Sequence, residues 1–151
     1  MPVRRLNHAV LRVTDVARAS QFWQEALGME VVSEVPGASF LRLPASGNHH
    51  DLGLFRGRGE PPLPGGIGLY HLAFEVADFD DLVDARSRLA EMGALIGESD
   101  HDASLSIYAA DPDGIEFEVL WPVASEHWGS QEGVVRPLDW VAAKQRWSAR
   151  G

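Results

Sequence analysis

The chain has 151 residues, room for one compact domain or for two half-size modules sharing a core, and its 13 Lys and Arg against 22 Asp and Glu give a net charge of -9. That balance offers no basic footprint for neutralising phosphates and argues against a nucleic-acid partner. Without cysteine there are neither disulfides nor thiolate ligands, so imidazole and carboxylate are the side chains left to hold a transition metal.

No apolar run is long enough to span a bilayer, and the N-terminal residues through Val13 alternate as a strand does rather than forming a signal-peptide core. A soluble, cytoplasmic protein without membrane contact is expected. The first strand, His8-Ala9-Val10-Leu11-Arg12-Val13-Thr14-Asp15, has a counterpart 63 residues later in His71-Leu72-Ala73-Phe74-Glu75-Val76-Ala77-Asp78. An amphipathic stretch follows each Asp, residues 16–27 and 79–92, and ends at Gly28 or Gly93. The Asp side chains can cap the helix N-termini, and the glycines can take the left-handed closing conformation. Three short strands follow each helix, near 30–35, 39–43 and 51–56 in the first half and 95–98, 105–110 and 115–121 in the second, with Asp111-Pro112-Asp113-Gly114 as a hairpin turn. The Pro- and Gly-rich residues 57–66 read as a connector. The expected fold is α+β: two tandem βαβββ modules, 5–56 and 67–121, forming a cup-shaped mixed β-sheet within a single domain 1–121. A C-terminal extension, 122–151, carries Trp128, Trp140 and Trp147; residues 138–147 can form a helix that covers the cup or packs on a second subunit.

Side chains alternate across a strand, so parity sorts the faces. Leu11 and Val13, Leu72 and Phe74, and Phe117 and Val119 form apolar rows suited to seat the helices, which leaves His8, His71 and Glu118 able to share the opposite, concave face. Tyr108 joins them, because Leu105, Ile107 and Ala109 take the other side of its strand. Two imidazoles and a carboxylate suit Fe, Mn, Ni, Co or Zn, and three ligands leave positions open for substrate and oxygen. Taken singly, each of these residues has an ordinary structural explanation; the equivalent placement of the two histidines in the repeat favours a shared role. His49 and His50, as neighbours on a strand, would point to opposite faces and are assigned to a loop outside the metal set.

Over about residues 5–121 the chain resembles the vicinal oxygen chelate superfamily, which includes glyoxalase I, fosfomycin and bleomycin resistance proteins, and extradiol ring-cleavage dioxygenases. The resemblance is carried by residues 6–15, by Phe22-Trp23-Gln24-Glu25-Ala26-Leu27-Gly28-Met29, by Tyr70-His71-Leu72-Ala73-Phe74-Glu75-Val76, and by Asp111-Pro112-Asp113-Gly114-Ile115-Glu116-Phe117-Glu118. Glyoxalase-like members add a fourth ligand at the first-module position matching Glu118; here that position is Gly53. The resemblance therefore leans toward the extradiol dioxygenases and implies Fe(II) on His8, His71 and Glu118, an aromatic diol chelating the ion, and O2 beside it. It further implies His101 as acid/base and Tyr108 as a hydrogen-bond donor to a substrate oxygen. Tyr108 is also readable as a half-buried strand aromatic, and His101 as a solvated loop residue. Small two-module members often pair, and a homodimer is expected. Two other activities stay open: a glyoxalase-like isomerase or thiol transferase, and a metal-free ligand-sequestering protein.

Overall fold

The structure, a computed structural model, describes residues 2–60, 65–129 and 133–150. It divides into two compact units, 1–66 with 111–113, and 67–110 with 114–151. Of the expected connector, 61–64 lie outside the described residues, as do 130–132 of the extension.

The first unit contains β1 (Ala9–Val13), α1 (Val16–Leu27), β2 (Glu30–Val35), β3 (Ala38–Arg42) and β4 (Leu52–Arg56), with sheet order β1-β4-β3-β2. Strand β1 runs parallel to β4, and the other neighbours are antiparallel. The helix begins where Asp15 accepts a hydrogen bond from the Arg18 N–H at 3.0 Å and ends at Gly28, whose φ of 67° is left-handed. Alternation along β1 buries Leu11 and Val13 and exposes Val10 and Arg12. With Leu41, Leu52, Leu54 and the helix residues Phe22 and Trp23 these make the core. Each large apolar side chain fully buried there contributes roughly 1.5–3 kcal/mol.

The second unit repeats the plan with β5 (Leu72–Glu75), α2 (Phe79–Glu91), β6 (Leu95–Asp100), β7 (Ser104–Ala110) and β8 (Glu116–Pro122), in the order β5-β8-β7-β6. Asp78 caps α2 by accepting from the Asp81 N–H at 2.8 Å. Phe79, Leu82, Leu89, Ile107, Phe117 and Val119 are fully buried. The β2/β3 and β6/β7 registers slip at corresponding places, between Val31 and Ser33 and between Leu95 and Gly97. The units thus share even an irregularity. Among the described residues no helix is long and apolar enough to cross a membrane.

The extension forms a short 3-10 turn (Ser125–His127) and α3 (Trp140–Trp147). Its aromatics seat on the second unit itself: the Trp140 indole N–H donates to Glu98 at 2.8 Å, Phe79 lies against both Trp121 and Trp140, and Trp147 meets Trp121 at 5.2 Å between ring centroids. Ser148 and the Ala149 N–H both donate to Asp80.

Asp51 organises the loop between β3 and β4. It accepts from the Leu43 N–H, Ser46 Oγ and Asn48 Nδ2, each at 2.7 Å. Burial alone would raise its pKa, but the hydrogen bonds from Asn48, Leu43 and Ser46 outweigh burial and hold the carboxyl below its ordinary range. A carboxyl that titrates lower in the folded than in the unfolded chain stabilises the fold above the unfolded value of about 3.9, and that contribution is lost as pH falls through the depressed folded value. Urea unfolding between pH 3 and 7 should therefore show a decline in stability below about pH 4. In Asp51→Asn the decline should be shallower and neutral-pH stability lower by about 1–3 kcal/mol. An unchanged acid limb in the variant would remove Asp51 from this role.

Candidate functional site

The face of β8 that carries Glu118 also carries the neighbours that matter to it. Glu118 stands opposite Ala73 of β5 and Tyr108 of β7. His71 precedes β5 by one residue, so its ring reaches the same place: Nε2 lies 3.1 Å from Glu118 Oε2. The Tyr108 hydroxyl lies 3.4 Å from Glu118 Oε1 and 2.7 Å from His101 Nε2. His71, Glu118, Tyr108 and His101 therefore form one continuous polar line within the second unit.

Glu118 is 7% exposed, and its partners are an imidazole and a phenol rather than Arg or Lys. A buried carboxylate needs a positive partner. His71 Nδ1 is buried with no hydrogen-bond partner among the described residues, so the ring's polar contact is made through Nε2, the nitrogen beside Glu118. The two donors fit a cation: a 3.1 Å separation suits two atoms each about 2.1 Å from one ion and nearly at right angles to each other.

His101 owes its orientation to the extension. Its Nδ1 lies 2.7 Å from the Val134 carbonyl, which can only accept, so Nδ1 carries the hydrogen. In the neutral ring Nε2 is then the acceptor for the Tyr108 O–H. The turn holding His101 includes Asp102 at φ 66°, the left-handed region that Asp tolerates better than most residues. Arg136 clamps the turn: it pairs with Asp102 and, at 3.1 Å, with Asp100, and its backbone bridges that of Asp100. Burial first, and then the negative charge of Glu118, raise the Tyr108 pKa, so the phenol keeps its proton at neutral pH and acts as a donor.

His8 lies in the first unit, where Asn7 Oδ1 is 2.8 Å from its Nδ1 and the His50 ring is 4.5 Å away between centroids. Among the described residues no group of three His, Cys, Asp or Glu side chains is gathered into a metal-binding cluster. His49 and His50 lie in the loop before β4, as expected, and their Nδ1 atoms are 3.1 Å apart, an approach that strand alternation would have prevented. Burial, followed by the charges of His8 and His49, lowers the His50 pKa. The nearness of His50 to His8 had one sequence signal, the position of His49-His50-Asp51 at the entrance to the strand that runs parallel to β1. The register also tests the role of Gly53. Val10 pairs with Gly53 as Ala73 pairs with Glu118, so Gly53 occupies the first-unit counterpart of Glu118 and brings no ligand.

Comparison with known proteins bears on this geometry. The family model described as Glyoxalase/Bleomycin resistance protein/Dioxygenase superfamily matches residues 5–119. Biphenyl-2,3-diol 1,2-dioxygenase 3 of Rhodococcus globerulus is 34% identical over 119 residues, covering 76% of this chain; the chain spans 62% of that relative's length. Glutathione transferase FosA of Serratia marcescens is 28% identical, with 78% of this chain and 80% of the relative covered. A solved glyoxylase/bleomycin resistance protein/dioxygenase domain from Frankia sp. EAN1pec shares the fold at a TM-score of 0.66 and 23% identity, covering 81% of this chain and all of that one.

Proposed function

The chain belongs to the Glyoxalase/Bleomycin resistance protein/Dioxygenase superfamily, and from that premise we propose that it is an Fe(II)-dependent extradiol-type dioxygenase that opens the ring of a catecholic diol. The observation that carries the reading is the contiguous line Glu118–Tyr108–His101–Val134, in which one phenol stands between a candidate ligand, 3.4 Å away, and a base, 2.7 Å away. Similarity to a relative named as a diol dioxygenase supports it, as does Gly53 at the position where an isomerase would place a further ligand.

His8, His71 and Glu118 would hold the ion, and its bound chemistry would be Lewis-acid activation of a chelating diol together with activation of O2. The protein's own part is proton placement. Tyr108, kept protonated, donates to an oxygen of the substrate or stays turned to His101 Nε2. When His101 takes up a proton at Nε2, that nitrogen becomes the donor to the phenol oxygen, and the Tyr108 O–H is released toward the reacting oxygens. Throughout, the Val134 carbonyl keeps Nδ1 protonated, so the basic nitrogen is always the one facing Tyr108.

The test is anaerobic reconstitution with Fe(II), addition of a panel of catechols, and admission of oxygen. Ring opening should consume O2 in step with the diol and give a yellow semialdehyde. Turnover of a 2-oxoaldehyde or a thiol adduct with Ni or Mn, and none of any diol, would replace this reading with the isomerase or transferase one.

A further inference from the structure

An open groove of about 720 Å3 in the first unit is lined by Val10, Arg12, Phe55, Arg56, Gly57 and Arg58. Three of its six lining residues are arginines. Arg18, Arg42, Arg86, Arg136 and Arg150 each pair with a carboxylate. Arg12, Arg56 and Arg58 have no such partner among the described residues, although the chain carries 22 acidic residues and a net charge of -9. Arg12 shares the strand face of Val10 and Phe55, and Arg58 follows just past the end of β4, so these two leave a local positive field that an anion can enter.

Beside them is exposed apolar surface: Val10 is 53% and Phe55 40% exposed. The register sets Val10 against Gly53 and Arg12 against Phe55, so an apolar floor passes directly into a cationic rim. Two glycines shape it. A Cβ at Gly53 would stand 3.4 Å from Val10 and 3.6 Å from Phe55, occupying the floor. One at Gly57 would stand 3.3 Å from the Arg12 Cβ, so the bare backbone lets the segment leading to Arg58 close on Arg12.

We propose that this groove binds an aryl carboxylate, with the ring on Val10 and Phe55 and the carboxylate on the arginines. Planar guanidinium groups favour a carboxylate through paired hydrogen bonds, and the apolar floor selects against a bare inorganic anion. His8 immediately precedes β1, and Val10 lies two residues, about 7 Å, beyond it. If the dioxygenase reading holds, the groove therefore makes the natural diol one with an acidic side chain; this last step rests on that reading.

Calorimetric titration of the intact, metal-free chain decides the groove. Phenylacetate should bind at least about tenfold more tightly than uncharged phenylacetamide and than inorganic phosphate, and added salt should weaken it. Arg12→Gln and Arg58→Gln, whose side chains are exposed, should keep the far-ultraviolet spectrum and lose most of that preference. Equal binding of acid and amide, equal binding of phosphate, or no binding at all would overturn the proposal. A second arm uses the Fe(II) protein with catechol and with a catechol bearing an acetate side chain. A higher kcat/KM for the acid, lost in Arg12→Gln, supports the substrate class, and a preference for catechol overturns it. If no diol turns over, the dioxygenase reading fails alone and the phenylacetate result still decides the groove.

Discussion

Glu118→Gln should abolish tight binding of a divalent metal while leaving the fold in place. The amide keeps the size and one acceptor of the carboxylate but removes the charge that would face the ion. Loss of a ligand should exceed the 10–100-fold affinity cost typical of residues that merely orient ligands, so a loss of about 100-fold or more is expected by calorimetry or elemental analysis. His71→Ala and His8→Ala should behave alike. The metal-free proteins supply the sharper contrast. In the unmodified chain without metal, Glu118 is a buried carboxylate beside an imidazole and a phenol, an arrangement that costs stability. The metal-free Gln variant should therefore melt no lower than the metal-free parent, and possession of the carboxylate should help only once metal is added. At a hundredfold excess over Kd, metal should stabilise the parent by about 2.7 kcal/mol and the variant by nearly nothing. One tightly held iron remaining in His71→Ala would show the ligand set to be wrong.

Tyr108→Phe should slow diol turnover by about 10²–10³ with iron still bound, since the phenol contributes a hydrogen bond rather than a ligand. The ring keeps its place: its strand neighbours Ile107 and Ala109 are fully buried and hold β7 against β8. The loss should appear in kcat more than in KM, because the donor is worth most when charge develops on the substrate oxygen. His101→Gln should produce a comparable loss, since His101 Nε2 is the acceptor that faces the phenol. Unchanged kcat in Tyr108→Phe would assign the phenol to packing alone.

Much of the architecture was legible because it depends on short-range rules. Alternation along residues 9–13 marks the buried face and along 72–75 the less exposed one, and Asp15, Asp78, Gly28 and Gly93 mark helix ends through local hydrogen bonds and backbone freedom. Strand ends shifted by a residue or two, as at Ala38 and Ser104, because ladder pairing rather than local preference terminates a strand. The counterpart relation of Gly53 and Glu118 was likewise available, since a repeat transfers register from one module to the other.

Other features depend on residues distant in the chain. No periodicity places the Val134 carbonyl on His101 Nδ1, 33 residues away, or Arg136 on Asp100 and Asp102. The extension was legible only by its tryptophans; its seat on α2 depends on Phe79, Trp121 and Asp80, which offer it surface and hydrogen-bond partners at once. His49 and His50 were assignable to a loop, but not their mutual approach, because that segment bends around Asp51. The sequence by itself determined the repeated βαβββ plan, the faces of its strands and the residue types able to hold a metal, since these follow from periodicity and side-chain chemistry. Only the tertiary structure decided which nitrogen of His101 is basic, which arginines stand unpaired and what Glu118 touches, since each is set by partners that chain spacing does not encode.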